Sequence, residues 1–192
     1  MNSKNSAVIG LLFVSLLLLP VAGWAFFKPM RILLPQFNGV SCIDAVCTED
    51  ESRRTEASRL YWEALAFVES SVGTANEHPK VVFCATQRCA DAFGSKKRSG
   101  FTLGTLGILI TPRAWQAHYV RHEMIHHLQN ERLGTFHNWL FTPSWFTEGM
   151  AYSLSQDPRA TLAEPFQRYR SQFDAWYKEV GSDRLWAEAE NL

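Results

Sequence analysis

The chain has 192 residues, enough for one domain with a substantial core and short for two. Hydrophobic residues make up 46% and charged residues 20%, a globular balance that excludes intrinsic disorder. Nineteen basic residues offset nineteen acidic ones, so no net field marks a nucleic-acid binder, and the one run of like charge, Lys96-Lys97-Arg98, reads as a solvated loop.

From Ala7 to Phe27 the sequence AVIGLLFVSLLLLPVAGWAFF holds 21 residues without a charge, enough to cross a bilayer as a helix. Gly23-Trp24-Ala25 offers the small residues of a signal-peptidase site, so a cleaved signal and a retained anchor both fit residues 1–27. The apolar run continues through Phe26-Phe27 past any cut, which favours the anchor. Residues 28–50, with Pro29, Pro35 and Gly39, read as an extended connector carrying Cys42 and Cys47. Cys84 and Cys89 form a second pair at the same spacing. Behind an export-type segment, four cysteines read as two disulfides in an oxidising compartment, with three connectivities open. A structural four-thiolate zinc site is the alternative.

Residues 51–192 read as one α+β domain, mostly helical with a small β-sheet. Thr48 and Glu51 have capping-box spacing ahead of a helix over 52–72, where Leu60, Ala64, Phe67, Val68 and Val72 form one stripe. KVVFC (80–84) and LGILIT (106–111) read as short buried strands. A helix from about Ala114 to Leu133 ends at Gly134, and the aromatic-rich TFHNWLFTP loop leads to a second helix over 144–155. The last helix carries Leu162, Phe166, Tyr169, Phe173, Trp176, Tyr177 and Val180 on one face, which covers the core or, alternatively, presents an aromatic patch to a membrane or partner.

The chemistry concentrates in VRHEMIHHLQ (120–129). His122 and His126 stand one turn apart on a helix, so both imidazoles can reach one cation. Imidazole nitrogen binds zinc at about 2.0–2.1 Å. Glu123 lies roughly 100° further round, beside such a metal without ligating it, which suits a general base. A catalytic zinc needs a third protein ligand and an open fourth position. The positions where a metzincin would carry Gly and a third His hold Gln129 and Arg132. His118 and His127 project off the common point and read as surface or supporting groups. Glu148, in SWFTEGMAYSLS on the next helix, is the better ligand: its neighbours Trp145, Phe146, Met150 and Ala151 are apolar, and a buried carboxylate needs a partner. A salt bridge to Arg121 or Arg132 is the alternative.

HEMIH followed by WFTEGMAY (145–152) resembles the gluzincin class of zinc metallopeptidases, whose aminopeptidase-like members carry a Trp-hydrophobe-x-Glu-Gly-x-Ala signature around the third ligand. The resemblance covers residues 122–152. It implies a zincin-like fold, His122, His126 and Glu148 as zinc ligands, Glu123 as general base, and a peptide or protein substrate. The Gly-x-Met-Glu-Asn type segment that binds a substrate amino terminus is missing, since GTLGILITPRAW stands there. Tyr152 occupies the place where thermolysin-like members put an aspartate that orients a ligand histidine, with Asp157 as a substitute. In this class a strand before the zinc helix often binds extended peptide along its edge, a role LGILIT fits as well as that of an ordinary core strand. Tyr152, His137 and Tyr169 are candidates to polarise a carbonyl, Tyr152 foremost because it lies one turn from Glu148.

These readings converge on a membrane-anchored, extracytoplasmic zinc metallopeptidase, periplasmic in a bacterium, or secreted if the leader is cut. The alternative is a catalytically inactive, zinc-stabilised interaction or assembly module of the cell envelope. Glu123, which no structural zinc site needs, favours the enzyme.

Overall fold

A computed structural model describes Gly23 and residues 27–192. The apolar segment read as anchor or signal therefore lies almost wholly outside the described residues. Among those, no helix is long and apolar enough to cross a membrane.

Two short, continuous apolar runs form the centre of the fold. Strands β3 (Val81–Phe83) and β5 (Gly107–Ile110) are buried throughout, as expected for strands covered on both faces. They pair in parallel, and β2 (Val46–Thr48) extends the parallel set on the far side of β3. Antiparallel edges are added by β1 (Ser41–Ile43) on β2 and by β4 (Gly100–Leu103) on β5, giving the order β1-β2-β3-β5-β4. Residues 28–50 are thus more than a connector. They form two short 3-10 turns, Lys28–Leu33 and Pro35–Asn38, followed by β1 and β2. Strands of three residues leave too little alternation to be read from sequence.

Both cysteine pairs close locally. Cys42 and Cys47 face each other across the β1–β2 ladder and are bonded, while Cys84, just past β3, is bonded to Cys89 on the short helix α2 (Gln87–Ala92). No free cysteine remains among the described residues, so the four-thiolate zinc alternative is set aside.

The sheet divides the core in two. On one face Val46, Val81, Phe83, Ile108 and Ile110 pack against α1 (Arg54–Ser71), through Leu60, Tyr61, Ala64 and Val68. The same cluster takes in α3 (Ala117–Leu133), through Val120, Met124, Ile125 and Leu128. The other face buries Val82 and Leu109 with Ile32, Phe93 and Phe101. Each large aliphatic or aromatic side chain withdrawn from water contributes about 1.5–3 kcal/mol. The capping box does not form: Thr48 belongs to β2, and Asp50 caps instead by accepting from the Ser52 N–H at 3.0 Å. Helix α3 begins three residues later than the sequence suggests, because a 3-10 turn at Pro112–Ala114 precedes it and the Trp115 indole donates to the Cys84 carbonyl at 2.9 Å.

After Gly134, at φ +79°, the aromatic stretch read as a loop is a short helix, α4 (Thr135–Leu140). Its apolar residues face outward, so no core-facing periodicity betrays it. Next come α5 (Ser144–Leu154), α6 (Phe166–Val180) and α7 (Leu185–Ala189). A Cβ at Gly149 would stand 2.3 Å from the Tyr169 carbonyl oxygen and 2.7 Å from Phe173 Cβ. Glycine at this position is what lets α6 lie directly on α5 beside Glu148. Gly149→Ala is therefore expected to lower unfolding stability by about 1–3 kcal/mol by forcing the helices apart, as read by urea denaturation. Unchanged stability would mean that the helices are not so closely seated.

Candidate metal centre

Helix α3 buries one face in the core and turns its flank toward α5, and that flank carries His122 and His126. Their Nε2 atoms lie 3.1 Å apart. Glu148 reaches in from α5, with Oε2 at 3.7 Å from His122 Nε2 and Oε1 at 3.8 Å from His126 Nε2. Three donors bonded to one tetrahedral ion at about 2.0–2.2 Å would stand roughly 3.3–3.5 Å from one another. The two Nε2 atoms and the Glu148 carboxylate lie close to that span, and together the three residues can hold a metal ion.

The salt-bridge alternative for Glu148 fails. Arg121 pairs with Glu63 at 2.8 Å, and Arg132 donates to the Thr74 carbonyl at 2.9 Å. Glu148 itself is less deeply buried than its neighbours suggest. Phe146, Met150 and Ala151 take the buried side of α5, leaving the carboxylate on the flank with a third of its side chain open to solvent.

The residue that sets the geometry is Gln129, read in the sequence only as a failed metzincin position. Its side chain is fully buried between α3 and α5. The amide nitrogen donates to the Thr147 carbonyl at 3.0 Å, so its oxygen faces His126 Nδ1 at 2.8 Å. A carbonyl oxygen can only accept, so Nδ1 carries the proton and the Nε2 lone pair is left for a metal. Burial, reinforced by His126, holds the pKa of His122 well below its ordinary value, so this imidazole is neutral, the form that ligates. The spacing of three residues from His126 to Gln129 was the available signal. Asp157 does not take this orienting role: it accepts from the Arg159 guanidinium and N–H instead.

Glu123 lies outside the donor group and turns toward β4. The Thr102 hydroxyl donates to Glu123 Oε2 at 2.8 Å and stands 2.9 Å from the Glu123 carbonyl oxygen. A Cβ on Gly100 would come within 2.9 Å of Glu123 Oε1, so the strand approaches the carboxylate only because Gly100 has none. Burial pushes the Glu123 carboxyl up to about 7, against the opposing pull of His126 and the Thr102 hydrogen bond. Near neutral pH such a group can both take and give a proton.

The remaining candidates separate cleanly. Tyr152 packs edge-on against His122, ring centroids 4.5 Å apart, and burial with the nearby Glu148 charge raises its phenol to about 12. His127 is neither surface nor a partner of the donors. It is buried on another side of α3, its Nε2 at 3.2 Å from Glu131 Oε1, and Glu131 accepts the Asn76 and Glu77 N–H groups to hold that loop. His118 is buried beside Tyr119. His137 sits on exposed α4 against Phe141, and Tyr169 packs on Phe166; neither joins the donor group. LGILIT is an internal strand, hydrogen-bonded on both sides by β3 and β4. The sheet edge beside the site is β4.

Two substitutions probe this arrangement by metal titration of the purified protein. Glu148→Ala should weaken divalent-metal binding by at least about tenfold, and Gln129→Ala by roughly 10–100-fold through loss of His126 orientation. Unchanged affinity in the first would remove Glu148 from the site, and in the second would leave His126 oriented by something else.

Comparison of the chain with protein-family models, with curated proteins and with solved structures returns no match, so the functional reading rests on the site itself.

Proposed function

We propose that this protein is a zinc-dependent metallopeptidase acting outside the cytoplasm, in which Glu123 handles the proton. The observation that carries this reading is the position of Glu123 next to the donor group but outside it. A metal site that only braces a fold needs its ligands and nothing more. A buried carboxylate with one hydroxyl partner costs desolvation energy and adds no ligand, so its use is chemical.

Two imidazole nitrogens and one carboxylate oxygen make up the donor set of catalytic zinc sites, which keep a fourth position open. Zinc in that set polarises a carbonyl and lowers the pKa of water toward about 7. His122, His126 and Glu148 would hold it. Glu123 accepts a proton at a carboxylate oxygen as water attacks the peptide carbonyl, then returns it to the leaving amine nitrogen. Thr102 keeps that carboxylate turned toward β4. Among the described residues the outer edge of β4 is unpaired, and an extended peptide adding there as a strand would run past Glu123. Tyr152, protonated at neutral pH and against His122, is the candidate donor to a developing oxyanion. The two disulfides point to an oxidising compartment, and the apolar run over 7–27 supplies the membrane anchor.

The test compares zinc-loaded full-length protein with Glu123→Gln on denatured casein. The substitution should cut kcat/KM by at least about a hundredfold while zinc stoichiometry and thermal stability hold. If both proteins bind zinc and neither cleaves casein or a broad peptide library, the protein is a zinc-stabilised interaction module of the envelope.

A further inference from the structure

Helix α4 inverts the usual rule of burial. Phe136, Trp139 and Leu140 are 78%, 77% and 58% exposed, and Phe141, just past the helix, is 67% exposed. Positions 136, 139 and 140 lie on one helical face. No Asp, Glu, Lys or Arg occurs from Leu133 to Thr147, so His137 is the only ionisable side chain in that stretch. The back of α4 is pinned by polar bonds: Asn138 Nδ2 donates to Asn130 Oδ1 at 3.1 Å, and Asn130 Nδ2 to the His126 carbonyl at 2.7 Å. The apolar face is thus held outward on a fixed mount that connects to the metal-site helix.

The place of this face in the fold narrows what covers it. Thr135, at the start of α4, abuts the β4–β5 turn, where a Cβ on Gly104 would lie 2.8 Å from Thr135 Cγ2. Leu106 in the same turn is 47% exposed. The turn ends at Gly107, against which Ile32 packs, its Cγ1 3.2 Å from an ideal Cβ there. Ile32 is five residues after Phe27, about 10 Å of chain at the rise of a 3-10 helix. Lys28, the first residue after the apolar run over 7–27, packs on Gly94 and donates to the Asp91 carbonyl, so the run enters the domain beside α2, five residues of chain from the Ile32 contact at the end that carries α4.

We propose that α4, Phe141 and Leu106 form a lipid-contacting surface that seats in the headgroup and acyl boundary of the bilayer, holding the metal centre at the membrane surface. Exposed Trp and Phe without nearby charge suit that boundary, where the indole keeps a polar edge in contact with headgroups. A bilayer reached by the preceding apolar run lies within five residues of chain of the Ile32 contact at this end of the domain. The proposal does not depend on the hydrolase reading.

Full-length protein in phosphatidylcholine vesicles, with and without bromine at carbons 6 and 7 of one acyl chain, tests it by tryptophan quenching. Trp139 is one of seven tryptophans, and the difference between wild type and Trp139→Phe isolates its emission. That difference should fall by roughly half or more in brominated vesicles. Trp24, inside the apolar run, reports on the anchor in both proteins. Quenching of Trp24 with an unquenched Trp139 difference would overturn the lipid surface and leave the anchor intact. No quenching in either protein would overturn both. A dimer in detergent that dissociates on Trp139→Ser would also overturn the proposal, by making the face a contact between two copies.

Discussion

One buried amide bridges His126 on α3 and the Thr147 carbonyl at the start of α5, and both motifs depend on it. Gln129 fixes the imidazole tautomer with its oxygen and the position of α5 with its nitrogen. Glu148, one residue after Thr147, is delivered to the two histidines by the same contact. Neither half works alone. Without the link, His126 is free to present either nitrogen, and α5 loses the hydrogen bond that sets its depth beside α3. Gly149 completes the seating from the other side, where α6 lies so close to α5 that no Cβ fits. The donor group is therefore a product of helix packing, held by one amide and one missing methyl group.

The same helix divides its functions by direction. Toward α5 it presents two imidazole nitrogens that can hold a cation. Toward β4 it presents a carboxylate whose ionisation is opposed by burial and supported by Thr102. On a third side His127 and Glu131 clamp the loop before β3, and on the fourth an apolar stripe meets the sheet. Four polar residues within the six positions from His122 to His127 would be costly on an ordinary buried helix. Here each has a partner or a donor role, which accounts for a sequence otherwise out of place in a core.

The parts legible in the sequence were those with a fixed local period. His122 and His126 are one turn apart whatever surrounds them, and Glu148 stands out as a carboxylate among apolar neighbours. The central strands read correctly because four-residue apolar runs have few other uses. What stayed hidden depended on a second element arriving from elsewhere. Gln129 gains its meaning only when Thr147 approaches, Thr102 only when β4 is seen to be the edge strand, and Gly149 only when Tyr169 lies over it. His127 looked like a surface residue because sequence does not reveal that Glu131 and the 76–77 backbone cover it. The first two strands were missed for a different reason: three residues each, tied by a disulfide, they need little pattern of their own.

The central claim is that His122, His126 and Glu148 bind one metal ion together. X-ray absorption at the zinc edge of the full-length, zinc-loaded protein tests it most directly. Binding by these three residues gives a light-atom shell at about 2.0–2.1 Å, outer-shell scattering from two imidazole rings, and no sulfur near about 2.3 Å. A sulfur shell, or the absence of paired imidazole scattering, would contradict it.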